Sequence, residues 1–516
     1  MLRGAAMSLR PAATWSRQGL ACSRGGAIGW ILLAVVLLSV IPPHGLLSEN
    51  EENYFALAER FVAGSTWPQE TAVFDASPLR ALSDGTLGAL VSAIGYTPAQ
   101  IVARLLTVVG YALVLPPLFS VLALSALDAA VVVMSMALLG QDIVGGEWLF
   151  SGYEAKVAAY ILVLWALRLV LEERLTAATL LFVGATYFHF LVGGFWFAAA
   201  MTLRLIDAPR NLRSAARAVA AYAILVAPLC GVIVWFRLAD HSAALARDVP
   251  PPDIIYSIIR EPHHQSPFLS WQYFRDHWLP GYVMATPMLF CCIWLARNGA
   301  TRRVRVVAVW LGSLLAYLFL VLGPKFLDRD SGALGKFYLF RPGSLIEFLW
   351  LMLVLAAAVQ TAGKRARLLR AVLLATIVPM FVYVQGGRLM REIGASRAVE
   401  GQKAILAAAV TRLTAPGDVV LVDPEVEAQW LDFERRSGRP TWVMWKFAPT
   451  NDAELMKWYR RIELRKAVFE EGCGADIGIA PPAFLLTTPA TASRLVASCG
   501  TEVFRGGPWV LVARNR

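Results

Sequence analysis

Apolar residues in the first three quarters of the chain come in long, nearly charge-free runs separated by polar connections. A helix rising 1.5 Å per residue needs about 20 such residues to cross roughly 30 Å of hydrocarbon. The pattern predicts about eleven spans, near residues 27–47, 101–122, 127–143, 155–172, 176–189, 192–206, 216–236, 280–296, 304–323, 343–360 and 368–385. Arg3, Arg10, Arg17 and Arg24 precede the first run, which exceeds a typical signal core and lacks a small-x-small cleavage site before Ser48. It reads as an uncleaved anchor behind a basic cytoplasmic segment, residues 1–26.

Charge in the connections tests this layout. With the N-terminus in the cytoplasm, Arg and Lys belong in the connections that follow even-numbered spans. Three of those hold Arg204, Arg210, Arg213 and Arg217; Arg297, Arg302, Arg303 and Arg305; and Lys364, Arg365, Arg367 and Arg370. An odd number of spans then places the C-terminus outside. The long outer loops, 48–100, 237–280 and 325–342, carry most of the acidic and aromatic residues found outside the tail.

Beyond the transmembrane region, 27–385, the pattern becomes that of a soluble α/β unit, residues 386–516. A helix is expected over Ala398–Leu413, with further helical stretches near Glu425–Arg435 and Ala453–Val468. Strands are expected near Asp418–Val422, Thr441–Lys446, Phe484–Thr487 and Trp509–Ala513. The fold class is therefore a polytopic α-helical membrane protein with a C-terminal extracytoplasmic α/β domain.

Composition agrees. The 516 residues are 57% hydrophobic and 16% charged, and the mean hydropathy is +0.55; soluble domains are near a quarter charged. The formal charge of +11 lies largely in the connections assigned to the cytoplasm, and no nucleic-acid-binding signature interrupts the apolar pattern, so nucleic acid is not an expected partner. Cys473 and Cys499 both fall in the exported unit, where an oxidising compartment would let them pair.

Ionisable residues collect at the outer boundary. Glu49, Glu51 and Glu52 open the first outer loop and lead into a surface helix with Tyr54, Leu57, Ala58 and Phe61 at helical spacing. Ser48 and Glu51 have capping-box spacing, which gives Glu51 a structural task. Glu49 and Glu52 remain as candidate general bases, able to take a proton from an acceptor hydroxyl, with Asp75 and Asp84 in reserve. Glu154 and Lys156 stand just inside the boundary, where charges snorkel, pair or line a wet cavity; Lys156 suits a lipid phosphate, and Glu154 would orient it or a sugar. His189 sits in an aromatic break between two short spans. Arg341, before Pro342, offers the planar fork suited to phosphate. His263 and His264 are adjacent, so their side chains are expected to diverge, and no divalent metal or other cofactor is indicated.

An anchor, acids opening a long first outer loop, many spans and an exported C-terminal unit together resemble the GT-C superfamily of integral-membrane glycosyltransferases. The segments Gly146–Lys156, Phe188–Gly194 and Trp442–Arg461 also resemble a set of bacterial GT-C-like membrane proteins without a settled activity. The resemblance implies a polyprenyl-phosphate-linked sugar donor, a glycan, lipid or protein acceptor, catalysis by the first-loop acid, here Glu49 or Glu52, and a place in the cell envelope, spanning the bacterial inner membrane many times. The sequence departs from the best-known GT-C patterns in lacking an Asp-x-Asp or Trp-Trp-Asp motif. The alternatives are a polysaccharide polymerase or O-antigen-ligase-like protein, and a lipid or glycan transporter or flippase. Charge collected on one side of the membrane suits chemistry at one leaflet better than alternating access.

Overall fold

The computed structural model describes residues 24–41, 49–63, 78–209, 211–238, 248–473 and 482–515. Each of the eleven apolar runs coincides with a helix. These are α1 (Arg24–Val40), α4 (Tyr96–Ser120), α5 (Ala126–Leu139), α6 (Ala155–Leu171), α7 (Leu175–Phe188), α8 (Phe190–Asp207), α9 (Leu212–Leu238), α10 (Leu279–Asn298), α11 (Arg302–Leu320), α12 (Gly343–Ala362) and α13 (Ala366–Phe381); α2 (Glu49–Ala63) and α3 (Ala81–Ile94) lie between the first two. Six helical runs among the described residues, beginning at Tyr96, Phe190, Leu212, Trp271, Arg302 and Gly343, are long and apolar enough to cross a membrane. The chain thus has the architecture of a polytopic helical membrane protein.

Several helices are shorter than expected, for local reasons. The first stops at Val40 because Pro42 and Pro43 withhold backbone donors and disfavour helix in the residue before them. Helix α5 starts in a capping box, in which the Ser125 hydroxyl accepts from the Asp128 amide and Asp128 accepts from the Ser125 amide, and it ends at left-handed Gly140. At 14 residues each, α5 and α7 reach only about 21 Å.

Polar contacts separate the two ends of the bundle. At one end Arg370 makes a two-pronged ion pair with Asp128, both contacts 2.8 Å, and Arg303 donates to the Val121 carbonyl. The loops opposite gather with the tail at the other end: Lys336 pairs with Asp452 at 2.6 Å, and Arg60 with Glu434 at 2.6 Å. Gly88 lets α3 approach α2 closely, since a Cβ there would lie 2.1 Å from the Ala58 carbonyl oxygen.

The tail follows α13 without a break in helicity. A π turn over Val382–Gly386 leads into α14 (Gly387–Leu413), longer than the expected Ala398–Leu413. Strands β1 (Val420–Val422), β2 (Phe484–Thr487), β3 (Gly500–Gly506) and β4 (Trp509–Arg514) form one sheet in the order β1-β2-β4-β3; β1 runs parallel to β2 and the other neighbours are antiparallel. Alternation sends Val420, Val422, Leu486 and Leu511 to one face, against Leu406 and Val410 of α14. It sends Leu421, Leu485 and Val512 to the other, against α15 (Asp452–Glu471) and α16 (Pro489–Ser498). Cys473 and Cys499 are bonded, with Cα atoms 5.0 Å apart, which ties the segment after α15 to the end of α16.

Several tail elements differ from expectation, among them the helix α16, which was not expected. Thr441–Lys446 is not a strand: Thr441 makes one bridge to Val420, and Trp442, Val443 and Met444 are buried as packing groups. The helix expected over Glu425–Arg435 is two short helices, Pro424–Glu427 and Phe433–Ser437, flanking buried Trp430. Strand β3 was not expected, although Thr501 to Arg505 alternates and Gly507, at φ +58°, provides the positive φ that a two-residue hairpin turn requires.

Candidate functional site

The site is built on the turn between α5 and α6, residues 140–154. Gly145 and Gly146 adopt φ of +96° and +64°, and a Cβ on Gly145 would lie 2.9 Å from the Phe340 side chain. Gln141 clamps the turn, accepting from the Phe150 amide at 2.7 Å and donating to its carbonyl at 3.0 Å; the Tyr111 hydroxyl donates to the Leu149 carbonyl at 2.7 Å.

That rigid turn points Glu147 inward, where it is 2% exposed. Its carboxylate accepts from Lys156 at 2.5 Å and from Arg341 Nε at 2.8 Å. Lys156 also pairs with Glu154 at 3.3 Å and lies over the Trp148 ring; Trp148 in turn donates to Glu154 at 2.9 Å. Arg341 Nη1 lies 3.1 Å from His189 Nε2, and the guanidinium stacks 3.7 Å from the Tyr338 ring centroid. A guanidinium always donates, so His189 Nε2 accepts; the 3.4 Å approach of the Val192 amide to Nδ1 is then packing, because a neutral imidazole accepts at one nitrogen only. Burial alone would raise the Glu147 carboxyl, but Arg341, Lys156 and His264 hold it well below the usual range.

The structure therefore brings together Glu154, Lys156, His189 and Arg341 from three distant stretches of chain. The residue that unites them is Glu147, which was not singled out. Its available signal was a lone carboxylate between two glycines and a tryptophan, at the same boundary as Lys156.

The first-loop acids divide by helix face. Glu51 is fully buried and bound by Arg104, by Gln100 at 2.7 Å and by the Tyr153 amide at 2.6 Å. It holds the turn before Glu154; Ser48, its expected capping partner, lies outside the described residues. A Cβ on Gly152 would fall 2.0 Å from that carboxylate. Glu52 instead faces the tail and pairs with Arg435 at 3.1 Å, outside the Lys156 and Arg341 cluster. Asp84 is buried beside Arg80. Asp75 and the side chain of Glu49 lie outside the described residues.

Burial pushes the Glu52 carboxyl up to about 7, against the pull of Arg435 and with Asp432 adding to the rise. A folded-state pKa raised above the ordinary 4.5 of a glutamate gives stability that is fully present below about 4.5 and is lost as pH rises through about 7. Glu52→Gln mimics the protonated form. It is expected to melt about 2 °C above the parent at pH 8 and with it at pH 5, measured by thermal denaturation in detergent; equal shifts at both pH values would refute the ionisation argument.

The adjacent histidines also depart from expectation, because their rings converge. His263 and His264 have centroids 4.0 Å apart, with Glu261 beside both. The Gly145 carbonyl anchors His264 through Nδ1, and Gly146 brings no side chain into the space the rings occupy.

Comparison with known proteins adds a domain match and a fold likeness. Residues 404–464 match the model of a domain of unknown function, DUF6798. No curated protein matches. Among solved structures, the chain is similar to ArnT from Cupriavidus metallidurans in the apo state, at 13% identity and a TM-score of 0.42, covering 95% of this chain and 98% of that one.

Proposed function

We propose that this protein is a membrane glycosyltransferase of GT-C type, moving a sugar from a polyprenyl-phosphate-linked donor to an acceptor at the outer face of the membrane. The observation that carries the reading is that Arg341, joined to Lys156 through Glu147, lines a small apolar, aromatic cavity with Tyr160, Leu191, Phe195 and Trp196. Aliphatic and aromatic walls beside a cationic group have the chemistry that a prenyl phosphate requires. Arg341 Nη2 donates to no described residue, which leaves one arm of the fork for an anion.

In this reading Lys156 and Arg341 take the phosphate, Glu147 holds both cations in place, and Glu154 orients donor or sugar. Glu52 is the proposed base, with Glu49, one helical turn earlier, as the alternative. A carboxyl near 7 is matched to accepting a proton at neutral pH, and Arg435 is the group that must give way for an acceptor hydroxyl to reach it.

The test is sugar transfer in vitro from polyprenyl-phosphate donors by the full-length protein in detergent. Glu52→Gln is expected to lose about 10²–10⁴-fold in rate. Undiminished transfer in both Glu52→Gln and Glu49→Gln, with loss in Glu154→Gln, would move the base to Glu154. Absence of transfer from every polyprenyl donor would refute the reading itself.

A further inference from the structure

We propose that Glu261, His263 and His264 form a binding site for a divalent cation of the zinc class, with a fourth coordination position left open. The three occupy one short stretch of the loop between α9 and α10, and their ligand atoms all lie within 4.8 Å of one another. The proposal is independent of the transferase reading.

The hydrogen bonds fix which atoms face the site. The Gly145 carbonyl can only accept, so His264 Nδ1 carries the proton and Nε2 presents its lone pair. A ring N–H given to a backbone carbonyl is the usual way a metal-bound imidazole is oriented. Arg260 holds Glu261 Oε1 at 3.0 Å, leaving Oε2 on the side of the histidines.

Glu261 Oε2 lies 3.3 Å from His264 Nε2 and 3.9 Å from His263 Nε2. Ligands bound tetrahedrally at about 2.0–2.1 Å stand about 3.3–3.4 Å apart, so one edge of the tetrahedron is already in place. A lone pair opposite a carboxylate at that distance is repulsive unless a positive charge lies between them. A proton or a metal ion can supply that charge. The second imidazole, converging on the same point, favours the metal, because two nitrogens and one carboxylate suit zinc better than magnesium or calcium.

His263 is half-exposed, so the ion has a route in, and three protein ligands leave room for water or another oxygen ligand. The site abuts Gly146, next to Glu147. A bound cation would therefore lie beside the turn that positions the buried ionic cluster.

The experiment uses the full-length protein in detergent, without a polyhistidine tag, stripped with a chelator and titrated with zinc against a chromophoric competitor. The expected result is one zinc per chain, weakened at least about 100-fold by His264→Gln or by Glu261→Gln and unchanged by His277→Gln, an exposed histidine of the same loop. Cobalt loading of the unaltered protein provides a readout that requires no variant: visible bands of tetrahedral intensity are expected. No zinc retained by the unaltered protein, equal binding by His264→Gln, or a cobalt spectrum like that of the aqueous ion would each overturn the site and leave a proton as the shared charge.

Discussion

Glu147→Gln is expected to destabilise the protein by about 3–5 kcal/mol, the usual consequence of removing one partner from a buried ion pair. The substitution keeps the shape of the side chain and removes only its charge. Lys156 and Arg341 would then be left facing each other in a site from which water is largely excluded, Glu154 being the nearest remaining carboxylate. Thermal and denaturant unfolding in detergent measure the loss. Glu147→Gln combined with Lys156→Met should recover part of it, because the second change removes one of the stranded cations. A single variant that melts within about 1 °C of the parent would mean that Glu147 does not hold the cluster.

Arg341→Ala is expected to reduce sugar transfer by about 10²–10³-fold, the scale seen when one preorganised charge-stabilising donor is removed. Arg341→Lys should restore little, since the fork now divides its arms among Glu147, His189 and the cavity, and an ammonium cannot reproduce that geometry. The informative comparison is with Lys156→Met, which removes a cation from the same carboxylate but not from the His189 contact. Full transfer by Arg341→Ala, in protein that melts like the parent, would show that the anion is held elsewhere.

The two variants separate the structural from the chemical role of one cluster. Glu147 touches both cations and, in the proposal, no substrate, so its loss registers in unfolding as well as turnover. Arg341 lines the cavity, so its loss should register in turnover beyond any change in melting.

Much of the scaffold was legible along the chain. Apolar runs of sufficient length have few fates besides spanning, and all eleven coincide with helices. Lys156, Glu154, His189 and Arg341 attracted attention for a physical reason as well: charge or an imidazole at an apolar boundary needs an explanation. Glu147 escaped because its neighbours in sequence are glycines and a tryptophan, while its partners lie 9 and 194 residues further along the chain. The long-range partners of Glu51 were not legible, because a capping box is a local pattern whereas Arg104 and the Tyr153 amide belong to other elements. The histidine pair was read as divergent from adjacency alone, and a carbonyl 119 residues away holds one ring toward its neighbour.

The sequence by itself determined where helices form, where the α/β tail begins and at which boundary the ionisable groups collect, because hydrophobic length and periodicity are properties of neighbouring residues. Only the tertiary structure decided which carboxylate meets which cation. Ion pairs such as Glu147 with Arg341, and Glu52 with Arg435, join residues whose spacing along the chain carries no information about their separation in space. Burial and the neighbouring cations then set protonation: against burial, two cations hold Glu147 ionised, whereas burial lifts Glu52 to about 7 beside one.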